Sequence, residues 1–140
     1  MGDLEKEMFT QMMWRIARFL GIDILGFNVM SNHYHQLVQT PAAVELTDLE
    51  LLERLKAYYG PDSLQVKRFY QAMQQGEEAL SRERERYLHR MGDVSEFEKI
   101  LKQGFSHWYN KCNGRRGTLW MERFKAVLVE DETEVLKIEE

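Results

Sequence analysis

The chain has 140 residues, of which 44% are apolar, so it is long enough for one buried core and short for two. Its 19 lysines and arginines are outnumbered by 23 aspartates and glutamates. The resulting charge of −4 excludes a uniformly basic coat for nucleic acid, so any contact with DNA must be local. The chain has a lone cysteine, no apolar run of the roughly 20 residues that span a bilayer, and no basic leader. These features predict a cytoplasmic chain without a membrane partner.

The first forty residues predict a helix followed by two strands. Apolar residues recur at helical spacing in residues 4–20, and Gly21 provides a stop. Residues 22–40 are rich in Ile, Val, Phe and Tyr and are interrupted at residues 30–32. This pattern indicates two strands joined by a tight connection, which Pro41 brings to an end.

The middle of the chain predicts charged helices. Residues 47–59 resume a helical pattern, with Thr47 or Asp48 as the N-cap. Residues 63–90 are highly charged, and we expect solvated helices there, with ion pairs between residues four apart. We therefore interpret the segment from about residue 45 to about residue 92 as a charged helical insertion.

The last third predicts a helix, a strand and the start of another helix. Residues 95–109 carry apolar residues on one face, and Ser95 with Glu98 matches a capping box. After a glycine-rich turn, residues 118–130 alternate as a strand does. Residues 131–140 begin a helical pattern.

The residues with the clearest chemical potential are His33 and His35. Residues two apart in a strand project from one face, so both imidazoles face one side and Tyr34 faces the other. Two imidazoles can hold one divalent metal. A bare His-x-His pattern is nevertheless more often a pair of hydrogen-bonded residues in a sheet.

The surroundings of this pair resemble a known family. Residues 29–38, Val-Met-Ser-Asn-His-Tyr-His-Gln-Leu-Val, are similar to the strand motif of the REP-associated tyrosine transposases and their single-tyrosine HUH relatives. In that motif a bulky apolar residue separates two histidines, and Tyr34 fills its position here. Residues 105–110, 114–120 and 122–130 resemble the next segment of the same family, in the same order.

The resemblance implies an α+β fold and a metal-assisted reaction. Residues 1–140 would form one HUH-type domain with a ferredoxin-like antiparallel sheet and flanking helices. His33 and His35 would hold Mg²⁺ or Mn²⁺, which polarises a scissile phosphate in single-stranded DNA. A tyrosine then attacks the phosphorus and stays linked to the 5′ end, so that cleavage and rejoining are two steps.

Two parts of the family's pattern have no counterpart in the sequence. They are a first strand ahead of residue 4 and, after residues 124–130, the helix with the nucleophilic tyrosine and a third metal ligand. We therefore expect a fragment that lacks both, and whether it cleaves DNA itself stays open. Its sheet would expose unpaired backbone groups, which predicts a homodimer. The tyrosines outside the motif are expected to pack rather than react: Tyr58, Tyr59, Tyr70, Tyr87 and Tyr109.

A basic and aromatic cluster follows the last long helix. Its predicted DNA-binding members are Lys111, Arg115, Arg116, Trp120, Arg123 and Lys125. Cations track phosphates and aromatic faces stack bases, so the cluster favours single-stranded or hairpin DNA over an ordinary basic turn. Two alternatives stay open: an inactive transposase relic that still binds such DNA, and a structural protein that holds zinc with ligands from another subunit.

Overall fold

The computed structural model describes residues 2–30, 34–40, 45–113, 127–129 and 135–137. Five helices and four strands lie in these ranges. In chain order they are α1 (Asp3–Leu20), β1 (Asp23–Val29), β2 (Tyr34–Gln39), α2 (Asp48–Tyr59), α3 (Leu64–Gln75), α4 (Glu77–Leu88), α5 (Val94–Asn113), β3 (Val127–Val129) and β4 (Val135–Lys137). This mixture of elements confirms the predicted α+β class. None of the described helices is long and apolar enough to cross a bilayer.

The ends of α1 and α2 lie where the sequence predicts them. Gly21 ends α1 in the left-handed region at φ 70°, and its N–H donates to the carbonyl of Ala17. At the start of α2, the Thr47 hydroxyl accepts from the Glu50 N–H at 3.1 Å, and the Thr47 N–H donates to Glu50 Oε1 at 3.0 Å. The hydrogen bond from the Thr47 backbone holds the pKa of Glu50 below its ordinary value.

The predicted cap of α5 is wrong. The helix begins at Val94 rather than after Ser95, because Asp93 Oδ1 accepts from the Glu96 N–H at 3.1 Å. The Asp93 carboxylate therefore caps the helix two residues before the predicted Ser95 cap, by satisfying the free N–H of Glu96. The Glu98 side chain instead points to the sheet, where it accepts a hydrogen bond from the Tyr34 hydroxyl.

The charged middle packs more tightly than predicted. Gly76 divides it into α3 and α4, and Phe69, Glu83 and Tyr87 are buried between these helices and the rest of the fold. The ion pairs found in the described residues are three apart in sequence or join different elements. One of them links Arg84 of α4 to Asp48 of α2. Most side chains of α3 and α4 are exposed, so the expectation of solvated helices is confirmed, whereas the expected spacing of four residues between ion-pair partners is wrong.

The predicted helix of residues 131–140 is also wrong, since Val135–Lys137 forms β4. This strand pairs antiparallel with β3, Leu128 opposite Leu136, and the pairing satisfies backbone groups that a short helix would leave open. The predicted strand of residues 118–130 is confirmed at Val127–Val129, and its remainder lies outside the described residues.

The sheet has the order β1-β2-β3-β4. Pairs β1/β2 and β3/β4 are antiparallel, but β2/β3 is parallel, so the sheet is mixed rather than purely antiparallel as predicted. The reason is the connection from β2 to β3, which passes through four helices and so returns the chain in the same direction. In the described sheet β1 is an edge strand, a place where another chain can pair. The homodimer stays a prediction.

The core lies between the helices and one face of the β1/β2 hairpin. The Phe9 ring of α1 lies 4.9 Å from the Tyr34 ring of β2 and 5.3 Å from the Phe105 ring of α5. All three rings are fully buried, as are Leu51 and Leu55 of α2. The helices therefore fix one face of β2 firmly, and the candidate site lies on the strand they hold.

Gly21 provides a test of how the first helix ends. A Cβ added there would lie 2.9 Å from Arg54 Nη1, and the positive φ disfavours any side chain. We expect Gly21→Ala to lower the free energy of unfolding by about 1–2 kcal/mol in urea titrations. The matched control is Gly104→Ala within α5, where a Cβ meets nothing within 4 Å. It should raise stability by about 0.5–1 kcal/mol, because alanine is the better helix former. Equal effects of the two changes would contradict this account.

Candidate metal and DNA site

The side chains of β2 alternate strictly between two faces. Tyr34, Gln36 and Val38 are buried against the helices, whereas His35 and Leu37 are half-buried on the other side. This confirms the expectation that Tyr34 and His35 face opposite ways. We call the second side the open face and define it by His35, Leu37 and Gln39 of β2 with Gly26 and Asn28 of β1.

Asn28 is the cross-strand partner of His35. The two are opposite each other in the antiparallel register, and such partners share a face with Cβ atoms about 5 Å apart. Asn28 is exposed, so its amide oxygen is available beside the imidazole. Sequence reasoning missed this residue, because only the register of the hairpin places it there, and register depends on the exact turn.

Most of the predicted site residues lie outside the described part of the chain. These are His33, Arg115, Arg116, Trp120, Arg123 and Lys125. Lys111 is described and is exposed in the last turn of α5. Within residues 2–30, 34–40 and 45–113, no three His, Cys, Asp or Glu side chains are grouped so that they could hold a metal. Of the predicted metal ligands the structure therefore describes His35 alone, with Asn28 opposite it, and the His33/His35 pairing stays a prediction.

A polar pair lies on the buried side of β2. The Tyr34 hydroxyl donates to Glu98 Oε2 of α5. Burial raises the pKa of Tyr34 above its ordinary value, and the Glu98 charge adds to this rise. Burial also raises the pKa of Glu98, an effect that the hydrogen bond from Tyr34 partly offsets. A phenol held neutral in the core is a poor nucleophile, so Tyr34 has a structural role here.

The other five tyrosines lie on helices. The Phe19 ring of α1 stacks on Tyr58 at 4.5 Å and meets Tyr59 edge-on at 5.6 Å. Tyr87 is buried, Tyr109 packs near Phe105, and the Tyr70 ring lies 5.6 Å from Lys56 Nζ. The chain has six tyrosines in all, and each lies on a helix or on the buried face of β2. None is on the open face beside His35.

The donor chemistry of the open face fits a hard or borderline cation. Carbonyl oxygens suit Mg²⁺ and Mn²⁺, and imidazole nitrogens suit the later transition metals, so Asn28 and His35 together are compatible with Mn²⁺. Comparison with protein-family models, with curated proteins and with solved structures finds no match to this chain. The assignment of the site therefore depends on its own residues and on the motifs quoted above.

Proposed function

We propose that this chain is a DNA-binding protein of the HUH class, in which His33 and His35 hold a divalent cation against a phosphate of single-stranded or hairpin DNA. The observation that supports it best is the alternation of β2. It buries Tyr34 and turns His35 to the open face beside Asn28. A homodimer formed at an edge strand belongs to the same proposal.

The role of each residue follows from its place on the hairpin. When bound, Mg²⁺ or Mn²⁺ supplies Lewis acidity toward a phosphate oxygen. His35 lies on a paired strand whose opposite face is fixed by the core, so the backbone that carries its imidazole is held in place before any ligand arrives. Asn28 can donate its amide N–H to a phosphate oxygen or offer its carbonyl to the cation.

Binding is supported better than cleavage. The strand transfer that the resemblance implies needs a tyrosine at the open face, and all six tyrosines of the chain lie elsewhere. Full transposase activity through a tyrosine that lies outside the given sequence is the second candidate. Incubation of this chain, and of a version extended by the downstream sequence, with labelled hairpin DNA and Mn²⁺ separates the two, because only strand transfer leaves a covalent DNA adduct.

The metal proposal predicts a large effect at His35. His35→Ala should weaken Mn²⁺ binding more than about tenfold, because even supporting residues of a metal site cost 10–100-fold. The change should also remove any Mn²⁺-dependent gain in hairpin DNA affinity. Titration calorimetry and fluorescence anisotropy measure the two effects. His107→Ala is the matched control, since His107 is an exposed histidine on α5 away from the open face.

The same titrations contain the outcomes that count against the proposal. Unchanged Mn²⁺ affinity in His35→Ala would show that His35 is an ordinary strand residue. Tight Zn²⁺ binding without any response to DNA would instead favour the structural metal-binding protein. Asn28→Ala should weaken Mn²⁺ binding less than His35→Ala does.

A further inference from the structure

A groove of about 470 Å³ lies between α1 and α2. Its wall from α1 carries Trp14, Arg15 and Arg18, and its wall from α2 carries Arg54 and Tyr58. We call it the cationic groove. Besides the three arginines, its lining includes one acidic residue, Glu7 in the N-terminal half of α1.

Two of the arginines are positioned by the opposite helix. Arg15 Nη2 donates to the carbonyl of Tyr58 at 2.7 Å, and its guanidinium lies 4.9 Å from the Tyr58 ring centre. Arg54 Nη1 donates to the carbonyl of Phe19 at 3.3 Å. These carbonyls belong to the last turns of α2 and α1, where the helix dipole is negative. Arg54 Nη1 also lies 3.5 Å from Met91 Sδ. A guanidinium has five N–H groups, so each arginine keeps donors beyond these contacts.

Arg18 is exposed in the last turn of α1. The ion pairs of the described residues include none of the three groove arginines. The helix dipoles explain why Arg15 and Arg54 are stabilised in these positions, but they require neither a groove of this size nor an aromatic wall.

Exposed aromatic rings extend the groove toward the sheet. Trp14 is 41% exposed and meets Phe27 of β1 edge-on at 5.9 Å, and Phe27 is itself 42% exposed. Large exposed rings beside cations are the combination that binds single-stranded nucleic acid, since bases stack on the rings and phosphates follow the charge.

The candidate metal site lies on the other face of β1 from the ring that extends the groove. Phe27 is the partner of Gln36 and so lies on the helix side of the hairpin, while the next residue, Asn28, is the partner of His35 on the open face. Because β1 is the outer strand of the described sheet, a single strand of DNA can pass from Trp14 around this edge to His35.

We propose that the cationic groove binds single-stranded DNA, with Arg18 contacting a phosphate and Trp14 stacking on a base. The inference deepens the proposed function and rests on it for the identity of the ligand as DNA. It does not depend on the metal.

The test is the affinity for a fluorescein-labelled oligothymidylate, measured by anisotropy in EDTA. Trp14→Ala should weaken binding about tenfold, and Trp14→Phe should recover part of the loss because phenylalanine still stacks. Arg18→Gln should weaken binding several-fold and lower the dependence of log affinity on log salt by about 0.7, the value for one phosphate contact to a single strand. Arg82→Gln is the matched control, an exposed arginine in the separate groove between α3 and α4.

Repeating the titrations with Mn²⁺ and with His35→Ala distinguishes the two proposals. If Trp14→Ala and Arg18→Gln bind as wild type while His35→Ala loses a Mn²⁺-dependent gain, the groove inference is overturned and the metal proposal stands. If Trp14→Ala and Arg18→Gln lose DNA affinity but Mn²⁺ has no effect, the groove inference stands and the metal proposal is overturned. Equal losses of DNA affinity in Arg18→Gln and Arg82→Gln would mean that the effect depends only on the net charge of the protein. That result would overturn the groove inference. Circular dichroism confirms that each variant is folded.

Discussion

Replacing Phe105 by alanine is expected to lower the free energy of unfolding by about 3–5 kcal/mol, the usual range for a buried phenylalanine. The side chain is fully buried on α5, and its ring meets Phe9 of α1 edge-on at 5.3 Å. Removing it leaves a cavity between the two helices that cover the β1/β2 hairpin. Since a domain of this size is stable by about 5–15 kcal/mol, urea titration should show a large shift of the unfolding midpoint.

Two further variants make this prediction specific. Leu64→Ala on α3 removes a leucine that is 66% exposed and should change stability by no more than about 0.5 kcal/mol. Phe105→Leu keeps much of the apolar volume and should remain folded if the alanine variant does not. An alanine variant as stable as Leu64→Ala would mean that α5 does not pack on α1 as described.

Breaking the hydrogen bond between Tyr34 and Glu98 should have the second largest effect. Tyr34→Phe keeps the ring but removes the donor to Glu98 Oε2. Glu98 Oε1 is already buried without a hydrogen-bond partner among the described residues, so the variant leaves both oxygens of the carboxylate poorly satisfied. We expect a loss of about 2–3 kcal/mol near neutral pH, the cost of a buried acceptor left unpaired.

The pH dependence of stability follows from the raised pKa of Glu98. A raised carboxyl pKa means that the folded protein binds more protons than the unfolded chain between the ordinary and the raised value. Glu98 should therefore make stability fall as pH increases through this window, and it should contribute no further change above the window. Tyr34→Phe removes the interaction that lowers this pKa, so its window should extend to higher pH.

Glu98→Gln provides the matching control. The amide cannot ionise, and its oxygen can still accept from the Tyr34 hydroxyl. The fall of stability across the window should disappear, and the variant should be at least as stable as wild type near neutral pH. Urea unfolding at several pH values measures all three proteins. A wild-type profile identical to that of Glu98→Gln would show that Glu98 does not titrate in this range.

Local patterns in the sequence were sufficient where one element determines its own limits. The spacing of apolar residues in α1, the stop at Gly21 and the cap at Thr47 each involve neighbouring residues. The alternation of β2 is equally local, and it correctly assigned Tyr34 and His35 to opposite faces.

Features that depend on distant residues were missed. The capping box predicted at Ser95 fails because Asp93 caps the helix and Glu98 is drawn to Tyr34, 64 positions away in sequence. Residues 135–137 form a strand because β3 offers a partner, which no local pattern reveals. The place of Asn28 beside His35 requires the exact register of the hairpin.

The crossed hydrogen bonds of Arg15 and Arg54 have a consequence for motion. Each arginine donates to the final turn of the helix opposite its own, so separating α1 from α2 at this end requires both hydrogen bonds to break. The space between them should therefore keep its width whether or not a ligand is present. An incoming strand would have to adapt its own backbone to a rigid slot, and the selectivity of such a slot would come from how readily the strand bends.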